Sequence, residues 1–284
     1  MKIKDLNPNV SISNDGQIRD NSKELTPEFV SYHNKYELES PENYKFIERA
    51  WRKEFAKDYL TIPSISSFIN VPESVCQADD RTNIKNTSDF PWKMICKLYG
   101  TMSDGNRYVA SGFFIGPRCI ITNGHVVFPN GNWATEIEVI PGMDGNIAPF
   151  GSDLSTNFRC VTGWTQDEQM EFDYGAIILN DNTLYDKVGA YFGYEQFNGL
   201  PILNNAGYPA DKTEGTMWYD AGKVVESTER MFKYMFDTSG GNSGSPTWGN
   251  NKRVAGVHGY GGCPNEAVKV IADVMKNWNY WKTL

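Results

Sequence analysis

The sequence predicts an all-β protein assembled from short strands. From about residue 92 onward, short apolar segments rich in Val, Ile, Phe and Tyr alternate with Gly, Asn and Pro. No helical pattern interrupts these segments before the C-terminus. Short strands at regular intervals, separated by turn residues, are typical of β-sandwiches and β-barrels. We therefore expect this part of the chain to form one of these two architectures.

The predicted strands fall into two series, followed by a helix. The first series covers 94–99, 108–115, 119–123, 136–140 and 174–179, and the second covers 200–206, 222–226, 231–236, 245–248, 253–258 and 267–271. Near the C-terminus four apolar residues recur at helical spacing: Val274, Met275, Trp278 and Trp281. One apolar face of this kind predicts an amphipathic helix. We expect that helix to pack on the β structure.

The N-terminal quarter of the chain has a different pattern. Residues 1–40 are polar and mostly without periodicity, and residues 61–75 are irregular. Residues 41–60 have helical spacing, with an apolar side chain at every fourth position: Ile47, Trp51, Phe55 and Tyr59. We predict that residues 1–73 are a pro-segment that carries one amphipathic helix. The alternative is an accessory helix that stays packed on the β structure.

The composition limits the partners of the protein. Its 284 residues allow one large domain or two small ones. The net charge of −8 argues against a nucleic-acid partner, because phosphate binding needs clustered Lys and Arg. No apolar run approaches the length of a membrane span, so we expect no membrane partner. The first residues lack the apolar core of a signal peptide, which leaves an intracellular location open.

Residues that bind metals are few. With three histidines and no Cys-x-x-Cys pair, we expect no metal site and no cofactor. The cysteines are Cys76, Cys96, Cys119, Cys160 and Cys263. Their odd number prevents complete pairing within one chain, and disulfides or buried free thiols fit the count equally well. Cys76 lies just beyond the predicted pro-segment, where it either tethers a cleaved pro-segment or stays free.

One glycine-rich turn carries the strongest chemical signal. Residues 241–246 read Gly-Asn-Ser-Gly-Ser-Pro and place Ser243 between two predicted strands. A serine becomes a nucleophile when a base removes its proton and donors stabilise the oxyanion. Glycines let successive N–H groups point at one spot, so we assign the oxyanion hole to the amides of Gly241 and Ser243. Upstream, His125 ends one apolar run and Asp173 begins another, an order typical of the chymotrypsin class.

The sequence resembles the chymotrypsin-fold serine proteases, and among them the bacterial glutamyl endopeptidases of the staphylococcal type. Besides the serine turn, the matching segments are Thr-Asn-Gly-His-Val at 122–126, the stretch 133–142 and Asp-Tyr-Gly-Ala-Ile-Ile at 173–178. The resemblance runs from about residue 74 to the end. It implies two six-stranded antiparallel β-barrels, the first within 74–190, and the second, with the helix, within 191–284.

The resemblance also implies the roles of individual residues. Ser243 attacks the peptide carbonyl, His125 takes its proton and Asp173 orients the imidazole. The backbone of the substrate is expected to add as a strand to the open edge at Gly259, Tyr260 and Gly261. The protein is then a serine endopeptidase acting on protein or peptide substrates, and we expect a monomer.

The substrate preference has two alternatives. Thr238 and His258 match positions that line the primary pocket of glutamyl endopeptidases and contact the substrate carboxylate, which implies cleavage after Glu, with Asp as a second acidic candidate. Asp237 falls where trypsin-like enzymes place the aspartate that recognises Arg or Lys, so cleavage after a basic residue is the alternative. An inactive protease fold that serves as a binding protein is an alternative of another class.

The resemblance places the mature N-terminus near Ser74, directly after Glu73. A glutamate-specific protease could cut this bond itself, which predicts a zymogen with its own pro-segment as an inhibitor. In this family the freed α-amino group is implicated in forming the specificity pocket. If the enzyme instead cleaves after basic residues, Arg81 is the alternative processing site. The family is secreted, so the resemblance implies an extracellular location.

Overall fold

A computed structural model describes residues 6–35, 53–54, 62–69, 74–76, 78–199 and 201–284 of the protein. These residues form a mostly β structure with a helix at the C-terminus, as the sequence predicts. Every strand of the two predicted series is present. Among the helices in the described ranges, none combines the length and the apolar character that crossing a membrane requires.

Six short strands precede the predicted series. They are β1 (Ser11–Ser13), β2 (Ile18–Arg19), β3 (Phe29–Val30), β4 (His33–Asn34), β5 (Lys53–Glu54) and β6 (Thr82–Asn83). The predicted helix over 41–60 lies outside the described residues except for Lys53–Glu54. These two residues are strand rather than helix, because they pair with Ile147–Ala148.

The first large sheet contains most of the next eight strands, all antiparallel. These strands are β7 (Ile95–Thr101), β8 (Arg107–Phe114), β9 (Cys119–Thr122), β10 (Glu136–Pro141), β11 (Ile147–Ala148), β12 (Asp153–Ser155), β13 (Phe158–Val161) and β14 (Gly175–Ile178). The order across the sheet is β12-β10-β7-β8-β9-β14-β13-β1-β2. In the described part of the chain this sheet stays open, because β1 occupies the edge of β13 that closure of a barrel would need.

The second large sheet contains a closed six-stranded barrel. The remaining strands are β15 (Ala190–Tyr191), β16 (Gly193–Glu195), β17 (Ile202–Gly207), β18 (Trp218–Ser227), β19 (Met231–Tyr234), β20 (Pro246–Trp248), β21 (Arg253–Tyr260) and β22 (Asn265–Lys269). The ring runs β20-β17-β18-β19-β22-β21 and closes because β21 also pairs with β20. The prediction of two closed barrels is therefore confirmed for one of them.

The N-terminal strands join both sheets. β1 pairs with β13, β3 pairs with β16, and β4 pairs with β15. The sequence of residues 1–40 predicts no regular structure, since strands of two or three residues carry too little pattern to detect. Their stability comes from the partner strands, which only the folded protease region supplies.

The helices are short apart from the last one. They are α1 (Ser66–Ile69), α2 (Gly124–Val127), α3 (Thr162–Thr165), α4 (Thr183–Val188), α5 (Ala272–Trp281) and the 3₁₀ turns Trp92–Met94, Pro129–Gly131 and Met170–Phe172. As predicted, α5 buries Val274, Met275, Trp278 and Trp281. These side chains belong to a core that combines residues of both sheets. Trp281 Nε1 donates to Ser11 Oγ at 2.7 Å, which attaches β1 to this helix.

Candidate active site

His125 and Asp173 form a buried hydrogen-bonded pair. His125 Nδ1 lies 2.6 Å from Asp173 Oδ2, and the backbone N–H of His125 donates to Asp173 Oδ1 at 2.8 Å. Both side chains are completely buried. A carboxylate on Nδ1 holds the proton there, which leaves Nε2 to act as the base. Within the described chain His125 Nε2 is buried and has no hydrogen-bond partner.

Local sequence brings this pair together. β9 ends at Thr122 and pairs with β14, which begins two residues after Asp173. Asn123 Nδ2 donates to the Asp173 carbonyl at 2.9 Å. A methyl group on Gly124 would lie 2.7 Å from the ring of Trp164 and 3.0 Å from Asp173 Oδ1. The Asn-Gly-His motif is therefore needed for packing as well as for chemistry.

Hydrogen bonds attach the serine turn to the first sheet. The Ser111 N–H donates to the Ser243 carbonyl at 2.9 Å, and Ser111 Oγ donates to the Gly241 carbonyl at 2.8 Å. Gly244 has φ +86°, and a side chain there would collide with Thr122 Oγ1 and the Ser111 carbonyl. Since Thr122 and Ser111 belong to β9 and β8, these contacts bring Ser243 to the side of the molecule that carries His125.

The backbone of the turn limits which amides can hold an oxyanion. The N–H groups of Asn242, Gly244 and Ser245 donate to carbonyls of Ser239, His258 and Asn242. These three amides are therefore committed to the fold. Gly241 adopts φ +102°. The assignment of the oxyanion hole to the amides of Gly241 and Ser243 stays a prediction.

Thr238 and His258 lie in the interior beside this turn. The Thr238 side chain is completely buried, and its Oγ1 has no hydrogen-bond partner among the described residues. His258 is also completely buried, and its Nδ1 forms a short hydrogen bond with Tyr234 Oη. The His258 N–H donates to the Ser245 carbonyl at 3.0 Å. These bonds fix the imidazole close to the serine turn.

Asp237 is held by backbone amides. Its Oδ1 accepts the Cys76 N–H at 2.7 Å, and its Oδ2 accepts the Asp80 N–H at 3.4 Å. The residue is 4% exposed. The carboxylates of Asp80, Asp220 and Asp237 lie together, and burial raises the pKa of Asp220. Asp237 therefore anchors the segment that follows Ser74.

The end of β21 lies across the His–Asp pair. A methyl group on Gly259 would be 2.9 Å from Asn123 Nδ2 and 3.4 Å from Asp173 Oδ2. The ladder with β22 shifts register between His258 and Tyr260, so Gly259 sits at a bulge. The Tyr260 ring lies 6.2 Å from the His125 ring, between centroids. Burial, with a smaller effect of Asp173, raises the pKa of Tyr260 well above its usual value.

Two segments near the predicted processing site also reach the candidate active site. Ser64 forms a parallel bridge with Val109, and methyl groups on Gly240 would meet Ser64 Oγ at 2.7 Å and Ser66 Oγ at 2.6 Å. The Ser74 carbonyl accepts the Thr238 N–H at 3.3 Å and the Asn265 amide at 2.8 Å. Glu73 lies outside the described residues.

Sequence reasoning missed several residues of the site. Ser111 supports the turn from a strand that the sequence does predict, but nothing in the pattern marks its hydroxyl. Tyr234 is one of many tyrosines in β segments, and only the structure shows that it contacts His258. Asn265, which binds Ser74, also carried no signal. All three act through three-dimensional contacts that no local spacing encodes.

Known proteins are similar to this chain in sequence. Residues 82–281 match the family model described as Trypsin. A Bacillus subtilis (strain 168) relative named extracellular metalloprotease is 32% identical over 288 residues, which cover 97% of this chain and 88% of that protein. The glutamyl endopeptidase of Bacillus licheniformis is 31% identical over 227 residues, covering 74% of this chain and 69% of the relative.

A solved structure extends the similarity to three dimensions. The structure of a Glu endopeptidase in complex with MPD has a TM-score of 0.68 and 29% identity, and covers 74% of this chain and 100% of that chain. The resemblance to glutamyl endopeptidases is thus confirmed. With the family match over most of its length and the buried Asp173–His125 pair, the chain belongs to the trypsin family of serine proteases.

Proposed function

We propose that the protein is a serine endopeptidase that cleaves after glutamate and is made as a zymogen. The observation that carries this proposal is the buried imidazole of His258, which Tyr234 Oη holds at Nδ1 and whose backbone bonds to the serine turn. Two relatives described above bear the name Glu or glutamyl endopeptidase, which supports the same specificity.

The catalytic steps follow from the buried pair. Ser243 Oγ attacks the peptide carbonyl while His125 Nε2 takes its proton, and the imidazolium later gives a proton to the leaving amine. Asp173 holds the proton on Nδ1 and stabilises the imidazolium through its 2.6 Å hydrogen bond. The amides of Gly241 and Ser243 hold the oxyanion, and each such donor is typically worth roughly 2.7–4 kcal/mol.

The proposed pocket is suited to a carboxylate. A buried hydroxyl without an acceptor costs about 1–3 kcal/mol, so Thr238 Oγ1 favours a ligand that accepts its proton. A protonated His258 adds a charge-assisted hydrogen bond to a carboxylate. Tyr234 Oη, next to Nδ1 and 3.3 Å from the Glu266 carbonyl, can accept from the imidazolium while it donates to that carbonyl.

The surroundings of Asp237 argue against cleavage after Arg or Lys. A cation in the pocket would need a carboxylate oxygen that faces it, whereas both oxygens of Asp237 accept backbone N–H groups. Arg81 is a poor processing site for a related reason. Its side chain is 1% exposed and forms ion pairs with Asp79 and Asp211, so the adjacent peptide bond belongs to a fixed segment.

The inactive binding protein is a weaker alternative. Such a protein can lose any member of the triad without loss of its role, whereas here His125 and Asp173 keep an intact hydrogen bond and Ser243 keeps its turn. The B. subtilis relative is named a metalloprotease, and the experiment below distinguishes a serine nucleophile from a metal-dependent one.

The segment around Ser64 supports inhibition by the pro-segment. The Ile65 N–H donates to the Val109 carbonyl at 2.9 Å, and the Val109 N–H donates to the Pro63 carbonyl at 2.8 Å. Val109 lies two residues before Ser111, which binds the serine turn. A substrate that approaches Ser243 from this side would therefore compete with residues 63–65.

Ser74 supports activation by cleavage after Glu73. Its amide N–H lies 3.3 Å from Asn265 Oδ1, and its carbonyl binds the Thr238 N–H. Hydrolysis of the 73–74 bond would replace this amide by a charged amine close to Thr238. A positive charge there would favour a glutamate side chain in the pocket. We further propose that the enzyme is secreted and monomeric.

The proposal is tested by incubating the full-length protein beside a Ser243→Ala variant and measuring intact masses under denaturing conditions. We expect cleavage at 73–74 in the wild type only, and rescue of the variant by added active enzyme. Peptides that differ only in the residue before the scissile bond should be cut after Glu. A serine-directed phosphonate should abolish this cutting, and a chelator should spare it.

Three outcomes would contradict the proposal. Cutting after Arg or Lys would replace the glutamate specificity by the alternative through Asp237. Loss of activity with the chelator but not with the phosphonate would contradict the serine mechanism. No cutting, even after a second protease has trimmed the pro-segment, would favour the binding protein.

A further inference from the structure

Two cysteines outside the catalytic machinery lie next to each other. Cys76 Sγ is 3.2 Å from the carbonyl oxygen of Gly262, and Cys263 Sγ is 3.8 Å from the carbonyl oxygen of Val75. Each thiol thus contacts the carbonyl that directly precedes the other cysteine. A carbonyl oxygen lies within about 3 Å of the next Cα, which keeps Cys76 Sγ within about 6 Å of Cys263 Cα. This proximity suits the reach of a disulfide.

The other three cysteines cannot take part in a disulfide with this pair. Cys96, Cys119 and Cys160 are completely buried, and burial raises the pKa of each thiol. Cys263 is exposed and Cys76 is partly exposed. Burial and the neighbouring Cys263 thiol raise the pKa of Cys76 to about 12. Cys263 is therefore the thiol that an oxidant reaches first. Cys76 is the thiol that then attacks the mixed disulfide formed on Cys263.

We infer that Cys76 and Cys263 form a disulfide in the mature enzyme. The thiolate of Cys263 attacks a low-molecular-weight disulfide and displaces one small thiolate, which leaves a mixed disulfide on Cys263. Cys76 then loses its proton and attacks the Cys263 sulfur, which displaces the second small thiolate. The two protein thiols are oxidised to one disulfide, and the small disulfide is reduced to two thiols.

This bond would hold the new chain end in place, a consequence that rests on the proposed function. Cys76 is two residues from Ser74, and Cys263 follows the Gly259–Gly261 edge that is proposed to bind substrate. Once the 73–74 bond is cut, hydrogen bonds to Thr238, Asp237 and Asn265 attach the chain end. A covalent link to the 259–264 loop prevents this end from detaching and keeps the Ser74 amine at the pocket.

The disulfide is tested on full-length Ser243→Ala protein, which cannot cut itself. The protein is equilibrated with mixtures of oxidised and reduced glutathione, alkylated with iodoacetamide and digested without reduction. We expect a linked peptide that joins Cys76 to Cys263, with Cys96, Cys119 and Cys160 protected until the protein is unfolded. Separate alkylated peptides at every glutathione ratio, or a lasting glutathione adduct on Cys263, would overturn the inference.

The role of the bond is measured on processed wild-type enzyme. Reduction should raise KM for a glutamate peptide by about tenfold or more in moderate urea. A disulfide typically stabilises the ordered state by a factor of more than about ten, and reduction removes this stabilisation of the chain end. The KM of Cys76→Ser and of Cys263→Ser should equal that of the reduced wild type and should not change when reductant is added. The KM of Cys160→Ala should equal that of the oxidised wild type. A linked peptide without any change in KM would overturn the pocket-holding role, and the linkage map itself needs no protease activity.

Discussion

Replacing Tyr234 by Phe should weaken the preference for glutamate without unfolding the pocket. Tyr234 Oη contacts His258 Nδ1 and lies 3.3 Å from the Glu266 carbonyl. The ring stacks on Phe236, with centroids 3.8 Å apart, and packs in the core cluster of the second barrel. Phe keeps this stacking and removes only the oxygen that accepts from a protonated His258.

The size of the effect follows from the kind of hydrogen bond that is lost. A hydrogen bond to a charged group contributes about 1.5–3 kcal/mol. Since each 1.4 kcal/mol is a factor of ten, kcat/KM for a glutamate peptide should fall by about 10- to 150-fold. A glutamine peptide brings no charge into the pocket. Its kcat/KM should therefore change little.

The assay compares two peptides that differ only in Glu or Gln before the scissile bond, across a range of pH. Tyr194→Phe is the matched control, because Tyr194 is completely buried and donates to Asn279 Oδ1 at 2.6 Å on α5. It loses a buried hydroxyl without touching His258. An unchanged ratio of Glu to Gln cleavage in Tyr234→Phe would refute the reasoning, as would an equal loss of that ratio in Tyr194→Phe.

Three further changes test other parts of the structure. Asp173→Asn should lower kcat by about 10⁴-fold at unchanged fold, since an amide favours the wrong imidazole tautomer, as steady-state kinetics and circular dichroism would show. Asp237→Asn should keep the cleavage after Glu, because the carboxylate binds the Cys76 and Asp80 amides rather than substrate, and a peptide panel checks this. Asp79→Asn should lower Tm at pH 7, since hydrogen bonds from Arg81 and Lys212 hold the pKa of Asp79 below its usual 3.8. That stabilisation is complete above about pH 4 and is lost as pH falls through the folded pKa, so the difference in Tm should shrink in acid.

The outcomes that would contradict these three expectations are distinct. If Asp173→Asn kept more than about a tenth of the wild-type kcat, the result would contradict the orienting role of the carboxylate. Loss of all cleavage in Asp237→Asn would contradict the expectation that cleavage after Glu does not depend on this carboxylate. A Tm difference for Asp79→Asn that is constant from pH 7 to pH 2 would mean that charge does not hold the segment at residues 79–81.

The sequence predicted the parts of the site that depend on local pattern. His125 follows an apolar strand, Asp173 precedes another, and Ser243 lies in a glycine-rich turn, so each has a signal within a few residues. The close approach of Gly124 to Trp164 explains why the histidine motif has a glycine at that position. The strands of the second barrel were predicted for the same reason, since alternation and turn residues mark them directly.

The parts that the sequence did not predict depend on partners far away in the chain. β1 forms because it pairs with β13. Ser11 Oγ accepts a hydrogen bond from Trp281, a residue near the opposite end of the chain. The orientation of Asp237 depends on the amides of Cys76 and Asp80, which no spacing rule connects to it. Pairings of this kind are tertiary, so local propensity cannot report them.

The strands β1 and β3 would keep residues before position 73 bound to the protease region after the proposed cut at the 73–74 bond. β1 and β3 remain hydrogen-bonded to β13 and β16, Asn277 Nδ2 donates to the Asn9 carbonyl at 2.9 Å, and Asn21 donates to Asn277 Oδ1 at 2.7 Å. If the 73–74 bond is cut as proposed, the molecule becomes a complex of two chains, and loss of the shorter chain is a dissociation governed by mass action. Dilution would favour release of the shorter chain, whereas a concentrated solution of cut protein would retain it.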